Sequence, residues 1–163
     1  MDARVRSALA VSCLVAAACS HGGGAPPAGA DLGGFGVARM AIGATGFEAY
    51  LATTPAQRSQ GFMFATVDQA APLGDGTPRG MLFVFAGDAF LGFFMRNTFL
   101  ALDLAYATAD GRIVEIHALT PLDERLVVAS QPVRYAFEAL AGTFADHGIG
   151  VGTVMAIPPE AMP

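Results

Sequence analysis

Between Arg79 and Leu104 the chain reads RGMLFVFAGDAFLGFFMRNTFLALDL. Met81–Phe85 is apolar at every position, so a strand formed by it must be covered on both faces. A second uncharged run, Ala89–Met95, leads straight into Arg96-Asn97-Thr98, and Asp103 interrupts the apolar sequence beyond. Polar groups set so tightly against core sequence must be paired or hydrogen-bonded where they are buried. The segment calls for a sheet buried on two sides, with a polar cluster at its margin.

The flanking sequence supplies short strands and turns. Phe47–Leu51 alternates with period two and Val37–Ile42 is a matching partner. Leu102–Tyr106 and Arg112–His117 flank Asp110-Gly111, a hairpin signal. Phe90–Met95 is expected beside Met81–Phe85 after a Gly87-Asp88 turn; Tyr135–Leu140 and Val154–Ile157 read as further strands. Thr54-Pro55-Ala56-Gln57 has the form of a capping box with proline at the first helical position, and Gly61 ends that helix. Thr66–Gly80 reads as a loop and Thr143–His147 as a second short helix. These elements predict a mainly β (α+β) domain, a compact antiparallel β-sandwich or partly closed barrel with two short helices.

The 163 residues suit one such domain plus extras. Arg4 and Arg6 precede the uncharged run Ala8–Ala18, which is too short for a bilayer span of about 20 residues and has the form of a secretory signal over residues 1–18. Leu14–Ala18 before Cys19 is similar to a bacterial lipobox, with Ala16 where leucine is usual. Cys19 is accordingly expected to carry lipid, and plain cleavage would leave it unmodified. Residues 19–34 then read as a lipid-attachment cysteine and a flexible Gly/Pro-rich tether, and residues 35–163 as the folded domain. Cys13 falls in the signal, which leaves the domain without an internal disulfide. The expected location is the cell envelope, anchored to a membrane and facing the periplasm, or secreted if Cys19 is unlipidated.

Residues 20–163 hold 7 Arg and 13 Asp plus Glu, a formal net charge of −6, and Lys is absent. An acidic body without basic clusters argues against nucleic acid as partner and against binding to anionic headgroups. Membrane contact is then through the N-terminal lipid only, and the partner is a small molecule or an envelope protein.

A family resemblance rests on ordered blocks: Thr54-Pro55-Ala56-Gln57-Arg58, Gly61-Phe62-Met63, Gly80–Phe85, Phe94–Thr98, Leu102-Asp103-Leu104, Asp110–Val114, Arg134-Tyr135, Glu138, Ala141-Gly142 and Gly148-Ile149. The chain resembles domain-of-unknown-function family 192 over about Ala52 to Val154. The resemblance implies a compact β-rich domain with short helices, often exported or lipid-anchored in bacteria, and names no reaction. Phe64 stands where the family often has a basic residue, and Ala139-Leu140 replaces its usual valine–asparagine after the glutamate.

Arg58, Arg96, Asn97, Asp103 and Glu138 are the candidate ligand-binding residues. Arg96 offers a planar donor fork for an anionic or carbonyl group; alternatively it pairs with Asp103 or Glu138 while Asn97 and Thr98 cap a bend. The leading expectation is a non-catalytic binding or assembly module with no cofactor. An enzyme acting on an envelope component, using Asp103 or Glu115 with Arg96, is the alternative. A third possibility is copper held by Met63, Met81 or Met95 with His117. Glu115 and His117 alone are too few for a closed metal site, and no nucleophile elbow or phosphate-binding glycine loop is present.

Overall fold

A computed structural model describes residues 29–162; the signal, Cys13, Cys19 and the first part of the tether lie outside these. Strands β1 (Gly36–Ile42) and β2 (Thr45–Ala52) form a hairpin, followed by helices α1 (Pro55–Gln60) and α2 (Val67–Ala70). Next come β3 (Arg79–Ala89), β4 (Gly92–Phe93), β5 (Leu102–Ala107) and β6 (Ile113–Leu119). The chain closes with β7 (Val127–Val128), β8 (Val133–Leu140), α3 (Thr143–Asp146), β9 (Met155–Ala156) and a 3-10 turn at Pro159–Ala161. The fold is mostly β, a curled seven-stranded sheet in the order β6-β5-β8-β3-β2-β1-β9, with a separate β4–β7 pair.

The curl follows from hydrogen bonding at the sheet's two ends. Ile113 N–H donates to Thr153 O and Met155 N–H to Gly111 O, both at 2.8 Å, drawing the start of β6 to the strand paired with β1. One sheet face lines the inside of the curl, where Ile42, Phe47, Leu82, Ile113, Phe137 and Met155 pack. The other face carries Met81, Phe83, Leu104 and Tyr106, covered by Phe62 after α1 and Leu91 beside β4. Met81–Phe85 is thus a central strand covered on both sides, as its composition requires, between β2 and β8.

The sheet is mostly antiparallel and partly closed, as expected, with one parallel pair, β2 with β3, across the α1–α2 crossover. Two expectations are corrected. Phe90–Met95 is not the neighbour of β3: that strand runs through Gly87-Asp88 to Ala89, and β8 takes the place beside it. An ion pair of 2.7 Å between Asp88 and Arg134 of β8 fixes the extension, and a register shift between Val84 and Ala89 marks a bulge there. Only Gly92–Phe93 of the second run is extended, against β7. The Thr66–Gly80 loop also holds a helical turn, in which the Gln69 side chain accepts from Thr66 N–H at 3.0 Å. The α1 capping box is present as the sequence predicts, with Thr54 Oγ1 accepting from Gln57 N–H at 3.2 Å and Gln57 Oε1 from Thr54 N–H at 2.9 Å.

The boundary at residue 34 also shifts. Residues 29–34 were expected to belong to the tether, yet Leu32 and Phe35 are buried in the outer-face core. Gln69 bonds both polar groups of Ala30, while Gln57 and Gln60 donate to Gly34 O and Asp31 O. An apolar side chain among small flexible residues is enough to hold a segment when glutamines satisfy its backbone. Leu32→Ala should accordingly lower unfolding free energy by about 2–3 kcal/mol, the usual range for a truncated core leucine. A urea midpoint unchanged by the substitution would return Leu32 to the tether.

Candidate functional site

The central β3 strand sends Phe83 and Phe85 toward α1, and the β4 backbone crosses the same face. Between them lies a cleft of about 370 Å³ walled by Phe62, Phe83, Phe85, Phe93 and Phe94. Edge-to-face contacts fix the walls: Phe83 meets Phe93 at 4.8 Å, and Phe93 meets Tyr106 at 5.8 Å. Polar groups enter from three elements. Arg58 comes from α1, Thr98 from the turn after Met95, and Glu138 from β8.

Arg58 is held in place before any ligand arrives. Its Nη1 donates to Thr53 O at 2.6 Å and Val84 O at 2.9 Å, and the guanidinium lies 4.8 Å from the Phe85 ring centre. Stacking plus two carbonyl acceptors orients the planar fork and leaves Nε and Nη2 uncommitted within the described residues.

Glu138 is the unusual group. It is 5% exposed, opposite Met81 of β3 and Leu104 of β5, and no described side chain or backbone donor bonds its carboxyl. Among the described residues no side-chain oxygen is both sealed from solvent and unbonded, so the carboxyl opens on the cleft it lines. Burial alone pushes its pKa up to about 8, because an ionised carboxylate loses hydration there without gaining a partner. Tyr106, in the same core, donates its hydroxyl to Val127 O at 2.6 Å, and burial beside Glu138 and Glu115 raises its pKa.

The five residues singled out from sequence divide. Arg58 and Glu138 line the cleft; Arg96, Asn97 and Asp103 do not. Arg96 pairs with neither Asp103 nor Glu138: its Nη2 binds Glu124 at 2.9 Å, both side chains are 57% exposed, and its guanidinium sits over Phe94. Asn97 takes a left-handed backbone (φ 55°), which asparagine tolerates, and its carbonyl accepts from Phe64 N–H at 2.8 Å. Thr98 Oγ1 donates to Arg96 O at 3.3 Å, as a bend-capping residue should. Asp103 accepts from Phe144 N–H at 3.2 Å and so caps α3, whose own N-cap is Gly142.

Glu115 faces another way. Its Oε1 accepts from the Ser130 hydroxyl at 2.6 Å and the Ser130 N–H at 2.8 Å, and its Oε2 lies 3.1 Å from His117 Nε2. The Ser130 bonds, then His117, hold Glu115 below the ordinary carboxylate range. The serine hydroxyl is spent on the glutamate rather than the imidazole, so the three do not form a nucleophile–base relay. Met81 and Met95 fill the core, Met63 lines the cleft, and His117 is turned to Glu115. Among the described residues no three His, Cys, Asp or Glu side chains cluster as metal ligands.

The aromatic walls escaped sequence reading. Phe62, Phe83 and Phe93 look like ordinary core residues, and only the bend of β4 across β3 makes them a lining.

Solved structures share this architecture. A protein of Sinorhizobium meliloti 1021, provisionally assigned as a transcription regulator, is 31% identical with a TM-score of 0.68, covering 74% of this chain and 93% of its own. A protein of unknown function from Novosphingobium aromaticivorans DSM 12444 is 29% identical with the same TM-score, covering 80% and 92%. No curated protein matches significantly. A family model matches residues 38–157, and with the ordered blocks and the shared fold it establishes that this chain belongs to DUF192, described as "Uncharacterized ACR".

Proposed function

We propose that the chain is an exported, membrane-tethered binding module that holds a small molecule in the cleft between α1, β3 and β4. The observation that supports this is Glu138: an acid buried without a partner among the described residues, opening on a preformed aromatic cleft. Such a group lowers stability, and ligand pockets are where apolar walls and a few unsatisfied polar groups converge. The residues assigned to the alternative enzymatic reading do not converge. Asp103 caps α3, Glu115 holds Ser130, and Arg96 pairs with Glu124, all outside the cleft.

The test is capture. Full-length protein, solubilised and incubated with a low-molecular-weight envelope extract, is washed and unfolded, and the released compounds are identified by mass spectrometry. A compound retained by wild type and lost from a cleft-blocking Thr98→Trp variant supports the reading. Retention by both equally would remove the cleft from it. Recovery of a chemically altered compound would instead make Glu138 a general acid or base.

Tethering rests on Cys19 and the residues after it. Nine residues, 20–28, separate the cysteine from the first described position, a reach of at most about 36 Å, which keeps the body near the bilayer. Cys19→Ala should move the protein from the membrane fraction to the soluble exported fraction. Wild-type protein found in the aqueous fraction with an unmodified Cys19 would overturn the anchor.

A further inference from the structure

We propose that the cleft takes an organic ammonium group, seated on the Glu138 carboxylate among the rings of Phe62, Phe83 and Phe93. This rests on the cleft being the binding site and adds the chemical class of its ligand.

The charge balance of the site points this way. Glu138 is 5% exposed and its carboxyl finds no donor within the described residues. Arg58 is the one basic residue lining the cleft, and it does not neutralise the acid. Its Nη1 serves the carbonyls of Thr53 and Val84, and its guanidinium stacks on Phe85. Burial raises the Glu138 carboxyl above the ordinary carboxylate range, and no ion pair with the arginine offsets it. Other titratable groups on that face of the sheet are Tyr106 of β5, bonded to Val127 O, Tyr50 of β2, bonded to Gln69 O, and Glu115 and His117 of β6, the glutamate bonded to Ser130 and the imidazole turned to that glutamate. None of them bonds the Glu138 carboxyl. A ligand cation with N–H donors completes what the chain leaves out.

The walls suit the same occupant. Aromatic rings present a negative face and attract a desolvated cation. A volume of about 370 Å³ admits an alkylammonium group but gives a metal ion little to bind. The cleft's side chains offer one carboxyl, the Ser59 and Thr98 hydroxyls and the Gln60 amide, short of the 6–8 oxygens calcium takes. Arg58 adds specificity. A positive charge fixed on the cleft lining disfavours dications by like-charge repulsion, while its free Nε–H and Nη2–H would donate to the anionic end of a zwitterion.

The experiment compares n-butylammonium, n-butanol and n-butyrate, three probes of one shape and different charge, by calorimetric titration of the full-length protein in detergent. Butylammonium should bind at least 10-fold more tightly than either of the others at pH 9. At pH 6 its affinity should be about 100-fold weaker, since a carboxyl with a pKa near 8 is then about 1% ionised. Binding at pH 7 should release close to one proton. Glu138→Gln should abolish the preference for the ammonium. Phe93→Leu, which keeps bulk but removes the ring, should weaken it several-fold. Butyrate or butanol binding as tightly as butylammonium, or a preference surviving in Glu138→Gln, would overturn the proposal. Absence of binding by all three probes would overturn the ligand class as well. A compound captured from extract in the same cleft would still stand, which separates this inference from the reading it rests on.

Discussion

Glu138→Gln should make the folded body more stable at neutral pH and flatten its stability between pH 5 and 8. The sign follows from proton binding. Free in the unfolded chain the carboxyl ionises near 4.5, whereas in the folded protein it keeps its proton up to about 8. Across that window the folded state binds more protons than the unfolded one, so wild-type stability falls as pH rises. Its contribution is fully present below 4.5 and lost by the time pH passes 8. The loss reaches about 3 kcal/mol at pH 7 and about 5 kcal/mol above pH 8, at about 1.4 kcal/mol for each pKa unit. Glutamine cannot ionise, and Glu138→Met additionally removes the buried polar atoms, so the methionine variant should be at least as stable. Urea denaturation at pH 5, 7 and 8.5 on wild type and both variants measures this. Parallel pH profiles in all three would mean that Glu138 is ionised and paired in solution, which would also remove the motive for a binding cleft. A stability gain with lost ligand capture is the signature of a residue held for function at the expense of the fold.

Gly80→Ala should be among the most damaging single-methyl changes available in this chain. An added Cβ would collide with the Phe137 ring and lie 2.5 Å from the backbone oxygen of Glu138. Neither obstacle can retreat. Phe137 is fully buried and fixed by an edge-to-face contact with Phe47 at 5.2 Å, and the Glu138 oxygen belongs to β8, the antiparallel neighbour of β3. Overpacking of this kind costs 1–3 kcal/mol when side chains can yield, so a contact that also presses on backbone should cost at least about 3 kcal/mol. Adding Phe137→Leu should recover part of the loss by relieving the ring, leaving the backbone contact as the remainder. A wild-type denaturation midpoint for Gly80→Ala would show that β3 and β8 are less tightly apposed than described. The same substitution shifts the strand that carries Glu138, so butylammonium binding should weaken with stability rather than independently of it.

Much of the architecture was legible because it is local. Period-two alternation gives Phe47–Leu51 its two faces whatever it pairs with. Asp110-Gly111 closes the β5–β6 hairpin within a few residues, and the Thr54–Gln57 capping box starts α1 from its own side chains. The unbroken apolar run at Met81–Phe85 required a strand covered on both sides, and β3 has one core cluster on each face. The ordered blocks from Thr54 to Ile149 carried the family as well.

Whatever depends on residues far apart in the chain was settled by tertiary structure. Sequence brings Arg96 and Asp103 within seven positions of each other, yet Arg96 turns to Glu124, 28 residues on, and Asp103 to the α3 amide, 41 residues on. Periodicity cannot choose among such partners, because the backbone path between them sets which charges meet. The parallel pairing of β2 with β3 is another such choice, made by the α1–α2 crossover rather than by either strand's pattern. Leu32 reads as part of a tether until the outer face of the sheet is there to bury it. Glu138 shows the division within one residue. The sequence could mark it as an acid in a core strand that had to find a partner, while only the assembled sheet, curled with β4 crossing its outer face, leaves that acid unpaired at the base of an aromatic cleft.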